Sequence, residues 1–242
     1  MCTLFKRTLI VAFDIAIAAY LILAVTAFNR PADRATVCSE VKIDIDDTQT
    51  PGFLDSDEIK RILQAGKQYP LAKPIAAIDP RAIEETLRCN PFVEQAECYI
   101  AQSGHVCILL RQRTPILHVM SATGENYYLD TQGTILPESP HPADVLIATG
   151  SIPPRSTSRS VRDYSITALT TIAHAISSDP FWRSQVEQIN ILPDGSAELV
   201  PRVGSHIIYL GPPVNIAKKL SRLLKFYKYG LSHAGWNRYE RI

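Results

Sequence analysis

The sequence lacks the short signatures that announce a reaction. His105, His118, His141, His174, His206 and His233 form no HxxxH or HExxH pair, and neither GxSxG nor GxxxxGK[ST] occurs. A helix-borne zinc site, a nucleophile elbow and a phosphate-cradling loop are thereby excluded, and no CxxC exists for a zinc knuckle or a redox pair. Neither sign of charge is in excess, with 25 basic residues against 24 acidic ones. A chain so balanced is not built to take nucleic acid as its main target. The lone Ser205-His206 pair falls at a predicted turn, and the acids spread along helix caps and strand faces as solvated residues do. A non-catalytic protein with no cofactor, metal or small-molecule substrate is expected; an anchored enzyme with a site assembled in space is the remote alternative. Glycine is scarce too, 11 residues against 17 prolines, which points to many short elements with defined turns.

What the sequence does have is one long apolar run, residues 8–28 (TLIVAFDIAIAAYLILAVTAF). At about 1.5 Å per residue, a helix of this length matches the roughly 30 Å hydrocarbon core of a bilayer. Lys6 and Arg7 precede it, so residues 1–7 are expected inside the cell and the bulk of the chain beyond the membrane. The alternative is a cleaved signal peptide ending at Val25-Thr26-Ala27, although signal h-regions usually span about 7–15 residues. Asp14 lies within the run. Either water reaches it near the cytoplasmic edge, or it makes a polar contact with a partner helix. Cys2 falls before the run. Cys38, Cys89, Cys98 and Cys107 fall after it, an even number in a compartment that permits disulfides.

Beyond the run, Val41, Ile43 and Ile45 alternate with Lys42, Asp44 and Asp46, the period of a half-buried strand. Asp55 to Glu58 offers a helix cap, with Ile59, Ile62 and Leu63 following at helical spacing. Asp79-Pro80 opens a second helix that stops at Asn90-Pro91. Residues 93–100 and 105–113 read as two strands around Gln102-Ser103-Gly104. This order, strand–helix–helix–strand–strand, makes a three-stranded sheet with both helices on one face. With residues 101–104 as a four-residue loop, Cys98 faces Cys107 across the hairpin, where a disulfide is feasible. Four small buried thiols are the alternative.

A second unit is expected from near Val119. Tyr127-Tyr128-Leu129-Asp130 enters a corner at Gly133 and leaves through Ile135-Leu136-Pro137, and residues 145–150 form an apolar strand closed by glycine. Ile166, Leu169, Ile172, Ala173 and Ile176 mark one face of a helix. Residues 186–192, 197–200 and 206–210 then follow as strands joined by tight turns, an antiparallel meander. Gly211-Pro212-Pro213 starts a last helix over residues 214–230. Its Ile216, Leu220, Leu223, Leu224 and Tyr227 fall on one side, and Lys218, Arg222 and Lys225 on the other. That basic side is either a solvated face or a landing surface for an acidic partner.

These features together resemble the FtsQ/DivIB family of bacterial cell-division proteins. An anchor followed at once by a βααββ unit looks like a POTRA domain, and the exit Arg111-Gln112-Arg113-Thr114-Pro115-Ile116 is similar to the basic segment that leaves it in that family. The YYLD segment with its glycine corner, and the basic helix followed by a terminal aromatic, are also similar to the family's second domain. The resemblance implies an α+β protein with a cytoplasmic tail (1–7), a transmembrane helix (8–28), a POTRA domain (36–115) and an FtsQ-type β domain (119–242). It further implies a non-catalytic inner-membrane scaffold whose periplasmic part binds FtsB/FtsL-like coiled-coil subunits and other divisome components by β-strand addition. The partner contacts would fall on Arg238, Tyr239, Glu240, Arg241 and Ile242, with Lys218, Arg222 and Lys225 beside them. Family members usually continue past this point with one or two further strands, so the C-terminal strand is expected to be incomplete here. The alternative is a POTRA-type chaperone or secretion component that captures extended clients.

Overall fold

The computed structural model describes residues 13, 15–25, 37–46, 53–101, 103–231, 233, 235 and 239–242. Asp14 and Arg238, singled out above, lie outside the described residues, as do Cys2, Lys6 and Arg7. Residues 15–25 are helical and keep their apolar side chains exposed, Tyr20 and Leu23 among them. Among the described residues no helix is long and apolar enough to cross a membrane.

The first unit runs β1 (Val41–Asp46), α1 (Ser56–Ala65), a 3-10 turn (Ile75–Ala77), α2 (Pro80–Arg88), β2 (Val93–Ile100) and β3 (Val106–Gln112). Its sheet has the order β1-β3-β2, with β1 parallel and β2 antiparallel to β3. Both helices start where the sequence supplies a cap. The Asp55 carboxylate accepts from the Glu58 N–H at 2.7 Å, and Asp79 accepts from Arg81 and Ala82 with Pro80 in the first turn. Ile59, Leu63, Ile83 and Leu87 then bury completely against Ala96, Val106, Ile108 and Leu110 of the sheet. Each such side chain contributes roughly 1.5–3 kcal/mol on burial.

The hairpin between β2 and β3 corrects the expected cysteine pairing. Ala101 N–H donates to the His105 carbonyl, so the loop is one residue shorter than a four-residue turn, and Gly104 takes the left-handed conformation that closes it. Cys98 therefore stands opposite Ile108, and Cys107 opposite Tyr99. A slip of one residue turns a side chain to the other face of the sheet. Cys98 thus points into the core while Cys107 points outward, and both are free thiols, as are Cys38 and Cys89. Burial pushes the Cys98 thiol up to about 11.

The second unit runs β4 (Pro115–Met120), β5 (Asn126–Asp130), β6 (Ile135–Leu136), β7 (Leu146–Gly150), α3 (Arg159–Ser177), α4 (Pro180–Gln185), β8 (Val186–Ile191), β9 (Ala197–Pro201), β10 (Ile208–Gly211) and α5 (Ile216–Phe226), which ends in a π-helical turn. Its seven strands follow the order β10-β9-β8-β7-β4-β5-β6. The β8-β9-β10 meander is antiparallel as expected, whereas β7 lies parallel to both β4 and β8. The unit opens at Pro115, ahead of Val119, because β4 is itself a central strand of this sheet. Leu169, Ile172, Ala173 and Ile176 of α3 and Ile216 and Leu220 of α5 share one core with Leu117, Leu129, Ala148, Ile189 and Leu199.

The two units meet through aromatic packing. Phe53 lies 4.7 Å from Phe92 and 5.2 Å from Tyr128 between ring centroids, and Leu136 completes the buried cluster. His118 stacks on the same Tyr128 at 4.3 Å. Beside them Arg113 Nη1 pairs with Asp130 Oδ2 at 3.0 Å, tying the connector to the end of β5.

Candidate partner-docking edge

β10 stands at one end of the seven-stranded sheet, with β9 on its inner side. Its outer side is met by the last residues of the chain. Ile207 N–H donates to the Glu240 carbonyl, Ile242 N–H to the Ile207 carbonyl, and Tyr209 N–H to the Ile242 carbonyl. This is a parallel bridge with Ile207 opposite Arg241. In such a ladder the residue facing the bonded one turns its own N–H and C=O away. The backbone groups of Arg241 therefore point outward, to the side where a further strand would pair.

Side chains alternate as they do in a strand. Ile242 packs toward the helices and the core, while Arg241 turns to the opposite face. There its guanidinium crosses beneath β10. Nη2 donates to Glu198 Oε1 on β9 at 2.6 Å, and the Arg241 Cζ lies 4.4 Å from the centroid of the Tyr209 ring. The other Glu198 oxygen accepts from Asn190 on β8 at 3.3 Å. Of the sequence-predicted contacts, Arg241 thus presents its backbone outward and spends its side chain within the chain.

α5 walls the same edge. Lys219 Nζ donates to the carbonyls of Leu210 and Pro212 at 2.8 and 2.7 Å, which pins the β10–α5 loop. Ile208, Leu210, Arg222, Leu223, Phe226 and Ile242 line an open groove of about 390 Å³ alongside β10. Tyr239 meets Phe226 edge-on at 5.7 Å. Lys218, Arg222 and Lys225 share one exposed face of the helix, and among the described residues none of the three has an ion-pair partner. Glu240 is exposed next to the groove. The structure brings Arg222 and Ile242, two of the contacts expected from the sequence, to one groove, and adds Leu223 and Phe226, which were not among them. Sequence reasoning also missed Glu198 and Tyr209 as the anchor for Arg241; an acid inside the apolar strand Ala197–Pro201 was the available signal.

The histidine at the turn–strand junction, His206, is buried and meets the Tyr227 hydroxyl. Burial lowers the His206 pKa and pushes the Tyr227 phenol up to about 12. Among the described residues no group of three or more His, Cys, Asp or Glu side chains could hold a metal ion. The arrangement offers backbone donors and acceptors, an apolar groove and a positive rim, which suit a peptide strand.

Residues 114–242 match the family model described as FtsQ/DivIB, C-terminal related, and residues 36–111 match the POTRA-like domain. No curated protein matches the chain.

Proposed function

The chain belongs to the FtsQ/DivIB, C-terminal related family, and from that premise we propose that it is a non-catalytic, membrane-anchored scaffold of the bacterial division machinery. The apolar run at residues 8–28 would hold it in the inner membrane, with both folded units in the periplasm. Its partner would be a segment of an FtsB/FtsL-like coiled-coil subunit that adds a strand to the sheet. The observation carrying this reading is the outward-facing backbone of Arg241, set beside an apolar groove and the basic face of α5. Main-chain hydrogen bonds would supply affinity, and alternate side chains reaching Leu223, Phe226 and Ile242 would fix register. Tyr239 and Glu240 would contact the partner directly, and Lys218, Arg222 and Lys225 would steer an acidic one. An unpaired edge invites aggregation unless something covers it, so a resident partner has a physical reason to be there.

The test is binding of the full chain, in zwitterionic nanodiscs, to the periplasmic part of the FtsB–FtsL coiled coil. Ile242→Pro removes the N–H that bonds Ile207 and should weaken binding at least tenfold. Binding that is indifferent both to Ile242→Pro and to charge reversal at Lys218, Arg222 and Lys225 would remove this edge as the docking site.

A further inference from the structure

The three-stranded sheet of the first unit has both its helices on one face, and among the described residues nothing covers the other. Register sets out that open face in rows across β1, β3 and β2. Lys42, Cys107 and Tyr99 form one row, Asp44, Leu109 and Glu97 the next, and Asp46, Arg111 and Gln95 the third. Neighbouring strands lie about 4.8 Å apart, so Leu109 has a carboxylate-bearing residue on each side at that spacing. Leu109 is 38% exposed and Tyr99 50%, which leaves the middle of the face apolar and wet.

The cations on this face are already committed. Arg111 Nε lies 3.3 Å from Glu94 Oε2, and the same guanidinium donates to Gln95; Lys42 Nζ stands 4.0 Å from Glu40. Glu97 accepts one hydrogen bond, from Gln95 Nε2 at 2.8 Å. Asp44 and Asp46 have no ion pair or side-chain hydrogen bond among the described residues. Carboxylates in surplus would by themselves be a solvated face. Here they flank exposed apolar side chains in an open groove of about 670 Å³, lined by Asp44, Asp46, Glu97, Leu109 and Arg111.

We propose that this face docks a basic amphipathic segment of another protein. Apolar side chains of the segment lie on Leu109 and Tyr99, and its lysines or arginines pair with Asp44, Asp46 and Glu97. The complementarity is specific in sign, because an acidic or uncharged segment would leave the unpaired carboxylates either repelled or unsatisfied. This surface belongs to the first unit and is separate from the edge beside Arg241, so the chain can hold two partners at once.

The test uses the full chain in zwitterionic nanodiscs, with empty nanodiscs subtracted, and three blocked hexapeptides: arginine alternating with leucine, the same composition in block order, and glutamate alternating with leucine. The alternating arginine peptide should bind saturably, at least tenfold tighter than the block peptide, and shift the Leu109 methyl resonances. The glutamate peptide should not bind. The pair Asp44→Lys and Glu97→Lys should lose at least tenfold in affinity with an unchanged thermal melt. The isosteric pair Asp44→Asn and Glu97→Gln should lose a smaller share, and it keeps the test valid if the lysine pair misfolds. Equal affinity for the two arginine peptides, undiminished binding to the isosteric pair, or shifts at Ile242 and Ile208 in place of Leu109 would each overturn the proposal.

Discussion

Arg241 and Glu198 are joined across β10, Nη2 to Oε1 at 2.6 Å, with the guanidinium lying over the Tyr209 ring. The Glu198 side chain is nearly buried, whereas that of Arg241 is about half exposed. The pair therefore does more than an ordinary surface bridge, because losing the arginine strands a desolvated carboxylate. It is the clip that holds residues 240–242 in register on β10.

Glu198→Ala should release that clip. A loss of about 1 kcal/mol confined to the edge corresponds to a roughly fivefold rise in local opening. Hydrogen exchange at the Ile207, Tyr209 and Ile242 amides should speed up by about that factor, while the amides of Ile189 and Leu199 on β8 and β9 keep their rates. Equal acceleration at both sets of amides would mean that Glu198 stabilises the whole sheet.

The register of the β2–β3 hairpin can be read chemically. Cys107 stands opposite Tyr99, a pairing whose Cα separation of about 5.5 Å at a hydrogen-bonded position lies within disulfide reach. Tyr99→Cys should form an intramolecular disulfide with Cys107 under oxidising conditions. The wild-type protein should show no Cys98–Cys107 link by non-reducing peptide mapping. A native link between those two would require the hairpin to slip by one residue.

That hairpin also marks where sequence reading stops. The strands of the first unit were legible because Val41 to Asp46 alternates cleanly, and its helices because Asp55 and Asp79 announce themselves as caps. Register was not legible, since it depends on whether the loop around Gly104 has an odd or even count, and both suit a glycine turn. The parallel centre of the second sheet was hidden for another reason. β7 is joined to β8 through α3 and α4 and to β4 by way of β5 and β6, so both parallel pairings depend on long connections that no local pattern encodes. The basic face of α5 was plain from its spacing; Glu198 inside an apolar strand signals that it needs a partner, but Arg241 lies far along the chain and nothing local identifies it as that partner.

His118 makes the junction between the units sensitive to acid. Its ring stacks on Tyr128, its Nε2 is buried without a hydrogen-bond partner among the described residues, and burial holds its pKa below the ordinary 6.5, with Glu138 pulling weakly the other way. The folded state resists a proton that the unfolded chain accepts. The stability this group contributes is therefore full above about pH 6.5 and is lost as the pH falls through that value toward the depressed folded one. Buried His206 acts in the same direction. Urea unfolding at about pH 7.5 and about pH 5.5 should show the protein weaker at the lower pH. His118→Phe, which keeps the stack on Tyr128, should reduce that difference. An unchanged difference would assign all of it to other groups.

The lysines of α5 should separate into two kinds. Lys219 is spent on the carbonyls of Leu210 and Pro212, so Lys219→Met deprives two acceptors of a charged donor and should cost about 1.5–3 kcal/mol in urea unfolding. Lys218, Arg222 and Lys225 hold nothing in place, and reversing all three to glutamate should move stability by no more than about 0.5 kcal/mol each. Their effect belongs to association. If the α5 face steers an acidic partner, the triple reversal should slow the on-rate at low ionic strength and matter little at about 1 M salt, where the screening length falls to about 3 Å. A loss of binding that is independent of salt would instead mean that the reversed side chains block the groove beside Ile242, which places the partner there by contact and not by charge.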